Sequence, residues 1–119
     1  MTGDWRKWVG RHGEELAARF LSEKGYEIKD RNWTTRLGEL DIIAVKDGQL
    51  VIVEVRTTRS AKFGYGLESV DFRKQQKLRR LAMLYVRQHR LHHLPLRFDV
   101  ISILLRGQDT QLNHIEAAF

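Results

Sequence analysis

Two runs of aliphatic residues on either side of Asp47-Gly48 constrain the fold of this chain more than any other feature. An Asp-Gly pair favours a two-residue β-turn, because both turn positions require a positive φ that these residues tolerate. The runs, at residues 39–46 and 49–57, are rich in Val and Ile and are apolar on both faces. Strands of this kind lie in the interior of a layered sheet. The sequence therefore predicts a central β-hairpin with helices packed on both faces.

The spacing of apolar residues elsewhere predicts two helices and three further strands. The first helix is expected over residues 5–24, where Gly25 stops it, and the second over residues 70–89. The strands are expected at residues 26–30, at 96–104 and, as an edge strand, at 111–115. The predicted fold is a single α/β domain over residues 1–119, ordered α-β-β-β-α-β, with a central mixed sheet flanked by helices.

The composition favours a cytoplasmic protein with a polyanionic partner. Lys and Arg total 21 against 15 Asp and Glu, a formal net charge of +6. Such a charge suits nucleic acid, but it equally fits a basic protein that is merely soluble. The absence of cysteine excludes disulfides and thiolate metal sites and fits a reducing compartment. No apolar run is long enough for a secretory signal or a membrane span, so no membrane association is expected.

The hairpin places two carboxylates opposite one another. With a two-residue Asp-Gly turn, Asp41 faces Glu54, and Glu39 faces Arg56 on the same side. Directly opposed side chains have Cβ atoms about 4.5–5.5 Å apart, where like charges destabilise. Two such carboxylates in an apolar hairpin require a cation or a shared proton, and oxygen ligands suit Mg²⁺ or Mn²⁺. A bulge at the turn would shift this register, and alternatively both carboxylates lie at solvated strand ends.

Each predicted helix carries a charged residue at or near its apolar stripe. Glu14 lies at the edge of the first stripe, where it leans toward the sheet or, alternatively, is an acid that the helix dipole favours. Gly13 shares the apolar face, and its missing side chain permits close packing. Lys74 falls within the second stripe, so its ammonium group is expected to point toward the carboxylates. Alternatively, only the aliphatic part of the side chain is buried and the ammonium group extends into solvent.

Motifs spread over nearly the whole chain carry a family resemblance. In chain order they are Gly13-Glu14 with Ala17, Gly25-Tyr26, Arg31-Asn32-Trp33, Gly38-Glu39-Leu40-Asp41, Val53-Glu54-Val55-Arg56, Lys74-Gln75 and Arg97-Phe98-Asp99-Val100. Together they resemble the YraN family of bacterial proteins, which is related to archaeal Holliday junction resolvases. Both belong to a nuclease superfamily with a two-part signature. An acidic residue on one strand is followed, on the next strand, by a carboxylate, any residue and then a lysine.

The resemblance implies a restriction-endonuclease-like core and a metal-dependent nuclease. The activity that we expect is that of a structure-selective DNA endonuclease. In the implied centre, Glu14, Asp41 and Glu54 surround Mg²⁺ or Mn²⁺, and we expect the Val55 carbonyl to assist as a ligand. Arg56 stands where the superfamily has lysine. Because arginine stays charged, it can clamp a phosphate but cannot readily act as a base. Lys74 is therefore expected to supply the missing amine.

Basic residues around this centre predict a nucleic-acid-binding surface. They are Arg31, Arg36, Arg59, Lys62, Arg73 and Lys77. In the loop after the hairpin, Phe63 and Tyr65 offer aromatic faces on which bases could stack. Alternatively, Phe63 pins that loop to the core. The expected partner is DNA rather than RNA.

Two other functions fit the same residues. The first is a catalytically silent nucleic-acid-binding module of the same fold, in which Arg56 reflects lost chemistry. The second is a metal-free protein-interaction domain, which explains the basic charge but not the opposed carboxylates. Binding of Mg²⁺ or Mn²⁺ through Asp41 and Glu54 separates the enzyme from the silent module. A homodimer is compatible with the resemblance, because junction-cutting relatives use two sites.

Overall fold

The computed structural model describes residues 2–59 and 70–119, with side chains from residue 7 onward. Its elements are α1 (Thr2–Glu23), β1 (Glu27–Thr35), β2 (Gly38–Lys46), β3 (Gln49–Thr58), α2 (Phe72–His89), β4 (Leu96–Arg106) and β5 (Asp109–Ile115). The strands form one mixed sheet in the order β1-β2-β3-β4-β5. β3 and β4 are parallel, and the other neighbouring strands are antiparallel. The predicted α/β class and mixed sheet are confirmed, with β5 as the expected edge strand.

The hairpin of β2 and β3 has the predicted turn and register. Asp47 and Gly48 have φ values of 49° and 76°, as a two-residue turn with two left-handed positions requires. Pairing runs from Lys46↔Gln49 to Ile42↔Val53. The turn therefore contains no bulge, and the register deduced from the sequence is confirmed over these pairs.

The first strand is longer than its sequence indicates. β1 extends to Thr35 rather than residue 30, and it stays paired with β2 through an irregularity between Ile28 and Asp30. Asn32 adopts a left-handed φ of 52° in the same strand. These irregularities interrupt the alternation of buried and exposed residues. Residues 29–32 are therefore polar without the period-two pattern by which a sequence predicts a strand.

Both faces of the sheet are buried, as the aliphatic hairpin predicted. On one face, Ala17 and Leu21 of α1 belong to a core with Ile42, Val53 and Ile101. The other face carries a second core, whose members from α2 and the strands include Leu78, Leu81, Ile43, Ile52 and Phe98. The chain thus forms three layers, a helix on each side of the sheet. Among the described residues, neither helix has the length and apolar character needed to cross a membrane.

Gly13 brings α1 into very close contact with β3. A Cβ at this position would meet Thr57 Cβ at 2.9 Å and would overlap its hydroxyl oxygen. The close packing expected at Gly13 is confirmed. This contact also sets the depth of the adjacent residue, Glu14, relative to the sheet.

Replacing Gly13 with alanine should destabilise the protein by about 1–3 kcal/mol, because α1 has to move away from Thr57. The measurement is the free energy of unfolding in urea. Gly10→Ala is the matched control, since a Cβ there has no neighbour within 4 Å. At Gly10 the change should be neutral or stabilising by up to about 1 kcal/mol, because alanine is the better helix former. Equal effects at both glycines would contradict the packing argument.

A buried carboxylate, Asp99, ties the end of the chain to β4. It is 0% exposed and accepts hydrogen bonds from Arg97 Nε at 2.9 Å and from the Ala117 N–H at 3.0 Å. His114 Nε2 lies 2.7 Å from its other oxygen. Burial alone would raise the pKa of Asp99, but the bonds from His114, Arg97 and Ala117 outweigh burial and lower the pKa. Asp99 is therefore a fully satisfied structural acid.

Asp99→Asn should lower the free energy of unfolding by about 3 kcal/mol at pH 7, because it breaks a buried ion pair with Arg97. The folded-state pKa of Asp99 lies below its unfolded value of about 3.9. Its stabilisation is thus present above that pH and is lost as the pH falls further. The difference between wild type and variant should consequently shrink below about pH 4. Asp109→Asn, at an exposed position, serves as the control.

Candidate metal centre

Three carboxylates from two elements converge where α1 meets β2. Glu14 comes from α1, Glu39 and Asp41 come from β2, and one oxygen of each lies within 4.8 Å of the others. We call these three residues the acid cluster. Glu14 and Asp41 are half-buried, whereas Glu39 is exposed. Among the side chains described at residues 7–59 and 70–119, this is the one group of three or more acidic or histidine residues close enough together to share a metal ion.

A break in the alternation of β2 positions Asp41. Leu40 packs in the core on the α2 side, whereas Ile42, two residues later, packs in the core on the α1 side. In a regular strand, residues two apart share a face. The pairing with β1 keeps its register from Arg31↔Ile42 to Trp33↔Leu40, and Asn32 between them has a left-handed φ of 52°. Asp41 lies at this break, so the direction of its side chain does not follow the regular alternation of faces in the hairpin.

The carboxylate of Asp41 bonds to the neighbouring strand. The Val55 N–H donates to Asp41 Oδ2 at 2.9 Å. The recorded pairs of the hairpin end at Ile42↔Val53, one step before Asp41 and Glu54, so their direct opposition stays a prediction. The interaction that the structure shows at Val55 is made by its N–H, and the ligand role of its carbonyl stays a prediction.

Burial and mutual repulsion perturb the acids. Burial first, and the Glu54 charge second, raise the pKa of Asp41 to about 7 against the opposing effect of the Val55 N–H. The pKa of Glu14 is also raised, chiefly by burial, with Glu39 and Glu54 adding to the effect while a bond from the Asn32 side chain opposes it. Negative charge is therefore costly here without a cation. The four acids are all oxygen donors, the ligand type that Mg²⁺ and Mn²⁺ prefer.

Glu54 lies beside the acid cluster but has cationic partners of its own. It is buried, and its Oε1 lies 3.5 Å from Arg56 Nη2 and 3.5 Å from Lys74 Nζ. Lys74 thus reaches a carboxylate from α2, which is the first of the two orientations expected for it. Arg56 Nε is buried without a hydrogen-bond partner among the described residues. The sequence-predicted residues Glu54, Arg56 and Lys74 form one group next to Asp41.

Sequence reasoning missed the membership of Glu39. It placed Glu39 opposite Arg56 on β3, which the recorded hairpin pairs do not reach. On the other side of β2, Glu39 pairs with Thr34 of β1, whose hydroxyl donates to Glu39 Oε2 at 3.3 Å. The two-residue spacing between Glu39 and Asp41 was the available signal, because it puts both side chains near one another on a strand. Arg11 was missed as well, although it precedes Glu14 by three residues on α1 and is its neighbour on the helix surface.

An open, polar cavity leads to the acid cluster. It has a volume of about 350 Å³ and is lined by Arg11, Glu14, Glu15, Arg31 and Asn32. Arg31 is held there by an ion pair with Glu15, at 2.9 Å between Nη1 and Oε1. Of the basic residues proposed from the sequence, Arg31 is therefore the one that lines this entrance.

The other proposed nucleic-acid-binding residues lie elsewhere. Arg73 and Lys77 line a groove beside α2. Arg36 is exposed in the turn between β1 and β2, and Arg59 is exposed just after β3. Lys62, together with Phe63 and Tyr65, lies outside the described residues.

The raised pKa of Asp41 predicts an unusual dependence of stability on pH in metal-free buffer. Because the folded protein holds this proton up to about pH 7, stability should fall as the pH rises from about 4 to 7. Asp41→Asn should remove this decline and leave the variant more stable than wild type at pH 8, by about 1–2 kcal/mol after allowing for solvent screening. Urea unfolding at several pH values measures the effect. A wild-type stability that rises over this range, with no benefit from asparagine, would contradict the assigned pKa.

The fold and the site define a class: an α/β protein with a five-stranded mixed sheet, two helices and an acid cluster at the junction of helix and sheet. Residues 13–103 match UPF0102, an uncharacterised protein family. The chain belongs to this family, which confirms its resemblance to the YraN proteins. The matched residues include the whole acid cluster and Glu54.

Relatives from distant bacteria match the chain over almost its full length. A UPF0102 protein of Rhodococcus opacus is 46% identical over 112 residues, which cover 93% of this chain and 95% of the relative. A UPF0102 protein of Myxococcus xanthus is 43% identical over 114 residues, covering 96% and 90%. One from Caldanaerobacter subterraneus is 42% identical over 117 residues, covering 96% of both.

Proposed function

We propose that this protein is a metal-dependent phosphodiesterase that cleaves nucleic acid, as a structure-selective DNA endonuclease with a restriction-endonuclease-like core. The observation that carries the proposal is the convergence of Glu14, Glu39 and Asp41 within 4.8 Å of one another, with a raised pKa at Asp41. Repulsion and burial make this arrangement costly for an apoprotein. A bound cation would relieve that cost.

The donor set suits Mg²⁺ or Mn²⁺. Mg²⁺ binds oxygens at about 2.1 Å, so two of its ligands lie at most about 4.2 Å apart. The carboxylate oxygens of the acid cluster need only small side-chain movements to reach this spacing. Asp41 would be the central ligand, Glu14 and Glu39 would hold the ion from the α1 side, and Glu54 would complete the acidic surroundings. When bound, the ion would supply polarisation of a phosphoryl oxygen and a more acidic water.

The cations next to Glu54 have separate roles in this proposal. Arg56 keeps its charge and would stabilise negative charge that develops on the phosphate. Lys74 would orient water through its ammonium group and would hold Glu54 in place. Its position on α2 replaces the lysine expected at residue 56. The entrance near Arg11 and Arg31 would bring the anionic backbone of the substrate toward the acids.

Cleavage assays with Mn²⁺ and Mg²⁺ on branched, flapped and single-stranded DNA test the proposal. Wild type should cut at least one of these substrates, and Asp41→Asn or Glu54→Gln should lower the rate by about 100-fold or more. Glu23→Gln, an exposed acid at the end of α1, is the matched control and should retain full activity. Cleavage that survives Asp41→Asn would show that a different centre or a contaminant is responsible.

The ion pair between Glu54 and Arg56 favours one alternative, a catalytically silent nucleic-acid-binding module. In that case Arg56 neutralises Glu54 as a structural partner, and the catalytic lysine has been lost. Calorimetric titration with Mn²⁺ separates the two functions. If the protein is an enzyme, wild type should bind Mn²⁺ and the Asp41→Asn variant should not. If it is a silent module, neither protein should bind Mn²⁺.

A further inference from the structure

A groove runs along the first two turns of α2, away from the cavity that leads to the acid cluster. It has a volume of about 460 Å³, and its apolar walls include Leu37 and Phe72. These two side chains are 57% and 73% exposed, which is unusual for large apolar residues. We call this feature the α2 groove.

Three cations line the same groove. Arg73, Lys77 and Arg80 follow one another at helical spacing, so they form a row about 10 Å long on one face of α2. Within the described part of the chain, no carboxylate pairs with any of them. Uncompensated positive charge beside an exposed aromatic ring suits a ligand that presents both phosphates and flat, apolar faces.

We propose that the α2 groove binds an unpaired strand of DNA, with a base stacked on Phe72 and successive phosphates beside Arg73, Lys77 and Arg80. The proposal deepens the proposed function and rests on it for the identity of the polymer. A row of cations along a helix matches a chain of phosphates better than it matches a single anion. In a paired duplex the base faces are already stacked, so Phe72 needs an unpaired base.

The groove borders residues that flank the acidic site. Lys74, adjacent to Arg73 in α2, contacts Glu54. Lys77 packs over the start of β2, where a Cβ on Gly38 would lie 2.7 Å from Lys77 Cε. The next residue along β2 is Glu39 of the acid cluster. A strand held in the groove would therefore lead toward the carboxylates, as expected for a substrate with both paired and unpaired segments.

Charge argues against a second copy of the chain in this groove. Each copy carries a net charge of +6, and the groove contributes three of its cations. Docking a second basic molecule there would add repulsion, whereas a strand of DNA releases counterions when it binds.

Fluorescence anisotropy with a labelled 12-nucleotide oligo(dT), in EDTA so that no cleavage occurs, tests the groove. Phe72→Ala should weaken binding about ten-fold, because one stacked base is lost. Lys77→Ala should weaken binding. It should also reduce the steepness of log affinity against log salt concentration by about 1, the value expected for the loss of one phosphate contact. Met83→Ala is the matched control, since Met83 is an exposed apolar residue of the same helix at 45% exposure. Circular dichroism verifies that the variants are folded.

Several outcomes would overturn the proposal. These are equal affinity of Phe72→Ala and Met83→Ala, tighter binding of a duplex or of an RNA of matching sequence, and sedimentation showing that Phe72→Ala instead dissociates a dimer. If wild type binds through Phe72 yet cleaves nothing, the groove is supported and the nuclease proposal alone fails.

Discussion

The hydrogen bond from the Val55 N–H to the Asp41 carboxylate joins β2 to β3 where their regular pairing stops. It holds a titratable group inside a sheet whose buried side chains are mainly apolar, apart from Glu54, Asp99 and Ser102. Around this bond the helices contribute from opposite sides: α1 places Glu14, and α2 places Lys74 next to Glu54. The acidic site therefore draws on both helices and on the two strands of the central hairpin.

Much of the fold follows from short sequence signals. The Asp-Gly turn sets the hairpin register, because only a few residue types accept two consecutive positive φ values. The aliphatic character of both faces indicates cover on both sides, and the two helices supply it. β1 was the exception, because Lys29 to Asn32 are polar and the strand contains two irregularities. Its pairing with β2 stabilises a segment that has little strand character by itself.

The composition of the acidic site was less accessible to sequence reasoning. Asp41, Glu54 and Lys74 could be expected near one another from the hairpin and the helical stripe. The break in alternation between Leu40 and Ile42 could not be expected from the sequence, because a regular strand keeps residues two apart on one face. The meeting of Glu39 and Asp41 with Glu14 was likewise not expected. Long-range packing, including the contact of Gly13 with Thr57, decides which acids meet.

The tip of the hairpin is well separated from the acid cluster. The extended strand that runs from Asp41 to Lys46 spans about 17 Å. Asp47 and Gly48 are exposed, and a side chain introduced at Gly48 would meet no other atom within 4 Å of its Cβ. Because the chain contains no cysteine, a thiol introduced at Asp47 would be unique, although the left-handed φ of 49° there would cost about 1–2 kcal/mol of stability. A dye or spin label attached there would report on the orientation of the sheet against a bound partner while leaving the acids untouched.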